Sequence, residues 1–238
     1  MNIISCKNKE EASKKAAEAI GEYFKENNDN EILFLSCGGS GIRMLNDIKS
    51  ESLSSKLTVT MLDSRLQVEP QDENFYQLTR TDFYIRALQK RVRFLDVSLL
   101  RNLPLKEAGE RFEAMLKNWL ETHKGGKVIA SIGMGPDGHI AGIIPFPEDQ
   151  KTFDGLFKNE TRLALAYEVP SKNQFPNRLT TTYSFFSKID RVVSYITGEE
   201  KRDRLVELAG KKTFPEHRFP GIILRNLNKV SIFTDQIL

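Results

Sequence analysis

The chain of 238 residues is 39% hydrophobic and 28% charged, which excludes a disordered chain and a fibrous repeat. Its 35 Lys and Arg against 32 Asp and Glu leave a net charge of +3, too near balance to define a nucleic-acid or anionic-membrane surface. No stretch approaches the ~20 apolar residues that span a bilayer, and the N-terminal segment lacks the apolar core of a signal peptide.

In chain order, a helical stripe comes first, over 10–24, where Ala12, Ala16, Ala19, Ile20, Tyr23 and Phe24 share a face. Strand-type apolar runs follow at 32–36, 57–62 and 92–97. A second stripe covers 105–120 through Leu105, Ala108, Phe112, Leu116, Trp119 and Leu120. Runs at 128–132, 163–169 and 192–197 precede a charged helix at 199–208, whose inner face is Leu205 and Leu208, and a last run lies at 230–234. Several runs are continuous, as in ILFL and VIASI, which suits strands covered on both faces. The alternation predicts an α/β fold, a mainly parallel sheet flanked by helices, in a single domain over 1–238. Ligands of such sheets sit beyond the carboxyl ends of the strands, so the loops there are the candidates for chemistry.

Five segments stand out. Ser36-Cys37-Gly38-Gly39-Ser40-Gly41 joins a strand to a helix-like segment. Its glycines let backbone N–H groups approach an anion, and Ser36 and Ser40 add hydroxyls; a tight strand-to-helix turn is the plainer reading. Asp63-Ser64-Arg65 ends a strand, where the two charges either pair with each other or face a shared cleft. The loop 131–142 gathers four glycines with Asp137 and His139, a proton-exchanging ring two residues from a carboxylate. Arg178 and Lys201 each stand beside hydroxyl residues, and together they would supply a phosphate with countercharge. His123 and His217 lie in charged surroundings and read as surface residues. Cys6 and Cys37 form neither a CxxC pair nor a metal spacing, consistent with a reducing compartment. Cys37 is either a small apolar filler or a thiol activated at a helix start.

The ordered set SCGGSG at 36–41, DSR at 63–65, GMGPDGHIAGIIP at 133–145, RLTTT at 178–182 and TGEEK at 197–201 resembles the 6-phosphogluconolactonase family. That family belongs to a wider group with the glucosamine-6-phosphate deaminases, and its patterns are roughly SGGSTP, DER, GMGxDGHTASLFP, RxTxT and TGxxK. The resemblance implies a Rossmann-like domain of the glucosamine-6-phosphate deaminase/ribose-5-phosphate isomerase-like type. It implies a cytoplasmic enzyme that hydrolyses 6-phospho-D-glucono-1,5-lactone without metal or organic cofactor. Its partner would be a small sugar phosphate, with no nucleic acid or membrane, and the chain would be a monomer or weak homo-oligomer. By this likeness His139 is the general base and Asp137 orients it. Gly38, Gly39, Ser40, Arg178 and Lys201 hold the phosphate. Asp63 and Arg65 line the sugar end, with Arg65 facing the developing oxyanion.

The chain departs from the pattern at Cys37, at Gly41-Ile42, at Ser64 in place of Glu, and at Ile140 and Gly142 in place of hydroxyl residues. These changes are expected to weaken turnover or alter the accepted sugar. Two alternatives follow. One is a glucosamine-6-phosphate deaminase, whose GHIAFNEP motif shares GHIA but carries an Asn-Glu pair where this chain has Gly142-Ile143-Ile144-Pro145. The other is a non-catalytic sugar-phosphate sensor.

Overall fold

The computed structural model describes residues 1–169 and 173–238. The strands are β1 (Asn2–Ser5), β2 (Ile32–Ser36), β3 (Leu57–Met61), β4 (Asp63–Arg65), β5 (Arg93–Phe94), β6 (Lys127–Ser131), β7 (Ala164–Glu168), β8 (Asn177–Thr181), β9 (Arg191–Tyr195) and β10 (Val230–Thr234). The helices are α1 (Lys9–Glu26), α2 (Ser40–Met44), α3 (Asn74–Thr79), α4 (Asp82–Gln89), α5 (Leu105–Thr122), α6 (Gln150–Phe157), α7 (Tyr183–Phe186) and α8 (Arg202–Ala209).

Seven strands form one sheet in the order β1-β10-β9-β6-β2-β3-β5, and every pairing in it is parallel. All residues of the central β2 and β3 are buried, because helices cover both faces and no alternation is required. The amphipathic α1 buries Ala12, Ala16, Ile20 and Phe24 and packs on β9 and β10. Its first turn is closed by the Asn8 side chain, which accepts from the Glu11 N–H at 2.8 Å.

A smaller antiparallel sheet, in the order β4-β8-β7, departs from the expected layout. The run at 163–169 becomes β7 there rather than joining the parallel sheet. Its apolar character matches either sheet; here it pairs with β8 and is covered by α5. β4 and β8 are segments whose polar residues hide their extended conformation: DSR and NRLTT. Leu62 joins the two sheets, since its N–H donates to Ser36 O at 2.8 Å and its carbonyl accepts from Thr181 N–H at 3.2 Å. The small sheet is thereby held at the carboxyl end of β2 and β3. The run at 92–97 contributes only β5 before a 3-10 turn at Val97–Leu100. The expected helix at 199–208 begins as a 3-10 turn, Glu199–Lys201, before α8.

α5 approaches β7 at Gly109, where an added Cβ would lie 2.5 Å from the Ala166 nitrogen. Alanine gains roughly 1 kcal/mol of helix propensity over glycine. Overpacking against backbone, which cannot rotate away, costs about 1–3 kcal/mol and outweighs it. Gly109→Ala should therefore lower stability by about 1–2 kcal/mol in a urea titration. A variant as stable as the wild type would show that α5 shifts freely on the small sheet.

Candidate active site

Four chain segments leave the carboxyl ends of β2, β3, β6 and β9 and converge on one cleft of about 240 Å³. Its walls include Gly38, Gly39, Ser40, Asp63, Arg65, His139, Arg178 and Lys201. Residues drawn from 38 to 201 of the chain thus meet in a space the size of one small molecule. Asp137 stands outside that wall and contacts it through His139.

The His139 loop is folded by its own polar groups. The Asp137 carboxylate accepts from the His139 backbone N–H at 3.1 Å and meets the ring Nδ1 at 2.6 Å. A carboxylate only accepts, so Nδ1 carries the proton and Nε2 is left as the basic atom of the neutral ring. Burial pushes Asp137 upward, but the hydrogen bond and charge of His139 outweigh it and hold the carboxyl below its ordinary range. Position 135 must be glycine for the ring to fold back: an added Cβ would stand 2.2 Å from the His139 ring. Beyond the ring, the loop is pinned by the small sheet. The Thr180 hydroxyl donates to Ala141 O, and the Tyr167 hydroxyl donates to Gly142 O at 2.8 Å while accepting from Ile144 N–H at 3.1 Å.

The opposite part of the wall is cationic. Arg65 on β4 and Arg178 on β8 are direct cross-strand partners. Like charges in that relation repel, and among the described residues no carboxylate lies within 4.0 Å of either guanidinium. Arg65 instead donates to Asp72 O at 3.1 Å and lies 4.2 Å over the Phe175 ring, and Arg178 donates to Asn173 Oδ1 at 3.3 Å. The Nε atoms of both are buried without a partner. Burial and the neighbouring Arg178 pull the Arg65 pKa down, and burial pulls Lys201 down. Asp63, 8% exposed, is pushed up by burial against the opposing pull of Arg178, His139 and Arg65. Of the two readings of Asp63 and Arg65, the ion pair does not form and both side chains line the cleft.

Other sequence readings need correction. The Ser36 hydroxyl is fully buried and donates to Cys37 O at 3.1 Å, so it is no anion donor. Of the two readings of Cys37 the small apolar filler holds: the residue is buried, and burial raises its thiol pKa, the opposite of an activated thiolate. His123 and His217 are half-buried rather than surface residues, and His123 stacks on Trp119 at 4.8 Å.

Ser64 alternates away from the cleft and donates to the Glu73 carboxylate. Glu73 is 0% exposed and also accepts from Phe75 and Tyr76 N–H, capping α3. A buried carboxylate therefore backs this strand from residue 73, although DSR lacks the family's Glu. The next residue, Asn74, lines the cleft and donates to Asp63 O at 3.0 Å, while its Oδ1 is buried without a partner. Neither residue was singled out in the sequence. EPQDEN reads as a polar loop, and glutamate is a weak signal for a helix cap.

A parallel α/β sheet with a glycine-rich, cationic cleft at its carboxyl edge is the arrangement of an anion-binding α/β protein. The chain belongs to the family "Glucosamine-6-phosphate isomerases/6-phosphogluconolactonase", whose model matches residues 7–228. A glucosamine-6-phosphate deaminase of Bacillus velezensis is 28% identical over 245 residues, covering 99% of this chain and 98% of its own. A 6-phosphogluconolactonase of Thermotoga maritima is 29% identical over 130 residues, 55% of this chain and 51% of its own. The crystal structure of a 6-phosphogluconolactonase from Leishmania guyanensis superposes with a TM-score of 0.76 at 17% identity, covering 98% of this chain and 95% of that one. At that identity the likeness shows a shared fold.

The unpaired guanidiniums give a measurable consequence. Arg178→Met should raise ligand-free stability by about 0.5–1 kcal/mol by removing the cross-strand repulsion. It should also abolish most of the stabilisation by 6-phosphogluconate, worth about 2.7 kcal/mol at a hundredfold excess over Kd. Thermal unfolding with and without the ligand reads both, and undiminished stabilisation in the variant would contradict the role of Arg178.

Proposed function

We propose that this protein hydrolyses 6-phospho-D-glucono-1,5-lactone to 6-phospho-D-gluconate. The observation that carries the reading is the composition of the wall. It has one imidazole with Nδ1 held by a carboxylate, three cations, and, among the described residues, Asp63 as its only acidic side chain.

In this reading the phosphate rests on Gly38, Gly39 and Ser40 with Arg178 and Lys201 as countercharge. Nε2 of His139 takes a proton from water as the water oxygen bonds to the lactone carbonyl carbon. Asp137 keeps the ring oriented and stabilises the imidazolium. Arg65 faces the oxyanion of the tetrahedral intermediate. Collapse breaks the bond between the carbonyl carbon and the ring oxygen, and the departing oxygen recovers the proton from Nε2. The product acid then ionises to solvent. No covalent enzyme intermediate is needed, and phosphate contacts remote from the carbonyl position the reacting end.

A second reading, deamination of glucosamine 6-phosphate, is favoured by the full-length Bacillus relative. It would require a further carboxylate for ring opening. Glu148 is the nearest acid after His139 in sequence, but its side chain is 88% exposed, pairs with Arg218 at 3.7 Å, and lines no part of the cleft.

The test follows loss of freshly generated 6-phosphogluconolactone above its spontaneous hydrolysis. His139→Ala should lower kcat by about 10²–10⁴-fold. Lys201→Ala should chiefly raise KM, because it removes a contact made in ground and transition states alike. Ammonia release from glucosamine 6-phosphate would instead support the deaminase. Tight 6-phosphogluconate binding without any acceleration would indicate a sensor.

A further inference from the structure

A second, larger groove of about 720 Å³ continues from the cleft and shares Gly39, Ser40 and Arg65 with it. On one side it is walled by α2 and the turn after it, through Arg43 and Asn46. On the other it is walled by α3 and its flanks, through Gln71, Tyr76, Gln77 and Arg80. Three guanidiniums line it, and no Asp or Glu does. Arg43 and Arg80 are exposed and, among the described residues, form no ion pair. Tyr76 is 39% exposed, and it lines the groove together with Arg80, the residue that caps the C-terminus of α3.

We infer that this groove binds a nucleoside di- or triphosphate, with its phosphates among Arg43, Arg65 and Arg80 and its base against Tyr76. Three unneutralised guanidiniums call for a ligand carrying more than one negative charge, and their planar forks suit phosphate oxygens. A simple polyphosphate would leave the exposed Tyr76 ring without a partner. An aromatic face beside a basic groove is the general requirement for stacking a base. The groove is also three times the volume of the cleft, more than one sugar phosphate needs. Because Arg65 belongs to both spaces, the nucleotide and the sugar phosphate compete. That competition makes the nucleotide an inhibitor of the reaction proposed above and rests on that reading; the binding itself does not.

Calorimetric titration separates the two sites. ADP and pyrophosphate are titrated into the wild type, the double variant Arg43→Ala/Arg80→Ala, Tyr76→Ala and Lys201→Ala, with 6-phosphogluconate titrated in parallel. The double variant changes exposed side chains outside the catalytic cleft. It should weaken ADP at least tenfold and leave 6-phosphogluconate within twofold of wild type. Lys201→Ala should do the reverse. Tyr76→Ala should remove the preference for ADP over pyrophosphate. Absence of ADP binding at millimolar concentration would overturn the proposal. So would ADP binding that is lost in Lys201→Ala but kept in the double variant, which would place ADP in the cleft. ADP binding no tighter than pyrophosphate in the wild type would overturn the nucleotide assignment. A protein inactive on the lactone would leave these outcomes unchanged, so failure of the proposed function is distinguishable.

Discussion

Two guanidiniums facing one another across the β4–β8 ladder, with no carboxylate within 4.0 Å of either among the described residues, are the constraint on which the site depends. Protein surfaces normally spread or pair such charges, and burial makes their proximity more expensive. Here the small sheet fixes the backbone of both residues by ladder hydrogen bonds, so repulsion cannot separate their Cα atoms. An anionic ligand relieves the strain. The positive charge of the cleft is thus set by strand register rather than by a net basic surface, consistent with an overall charge of only +3.

The same small sheet positions the His139 loop. Thr180 neighbours Arg178 on β8 by two residues, and its hydroxyl holds the carbonyl of Ala141; Tyr167, paired with Arg178 across β7, holds Gly142. The anion wall and the His139 loop are therefore braced by one three-stranded element packed under α5. Asp63 is the costly member of this arrangement: a carboxyl raised by burial, tolerated because Arg178, His139 and Arg65 surround it.

The large sheet was legible in the sequence because continuous apolar runs and helical stripes have distinct periods, and all but one of the expected strands joined it. The loops that line the candidate site were legible because Gly-rich and charged segments follow those strands. The small sheet was not. β4 has three residues, β8 carries Asn, Arg and threonines, and their pairing joins positions more than a hundred residues apart, so no local pattern records it. β1, α3, α4, α6 and α7 are only four to eight residues long, too short for a period to show, which left them unassigned. Glu73 and Asn74 were hidden for a related reason. Their burial depends on Ser64 and Asp63 arriving from another segment, and composition alone marks them as a polar loop.

The most direct measurement is a crystal structure of the wild type with 6-phosphogluconate. The account requires the phosphorus between Arg178 and Lys201, with the C1 carboxyl within hydrogen-bonding distance, about 3 Å, of Nε2 of His139. A phosphate bound away from both cations, or a C1 carboxyl pointing away from the imidazole, would contradict it.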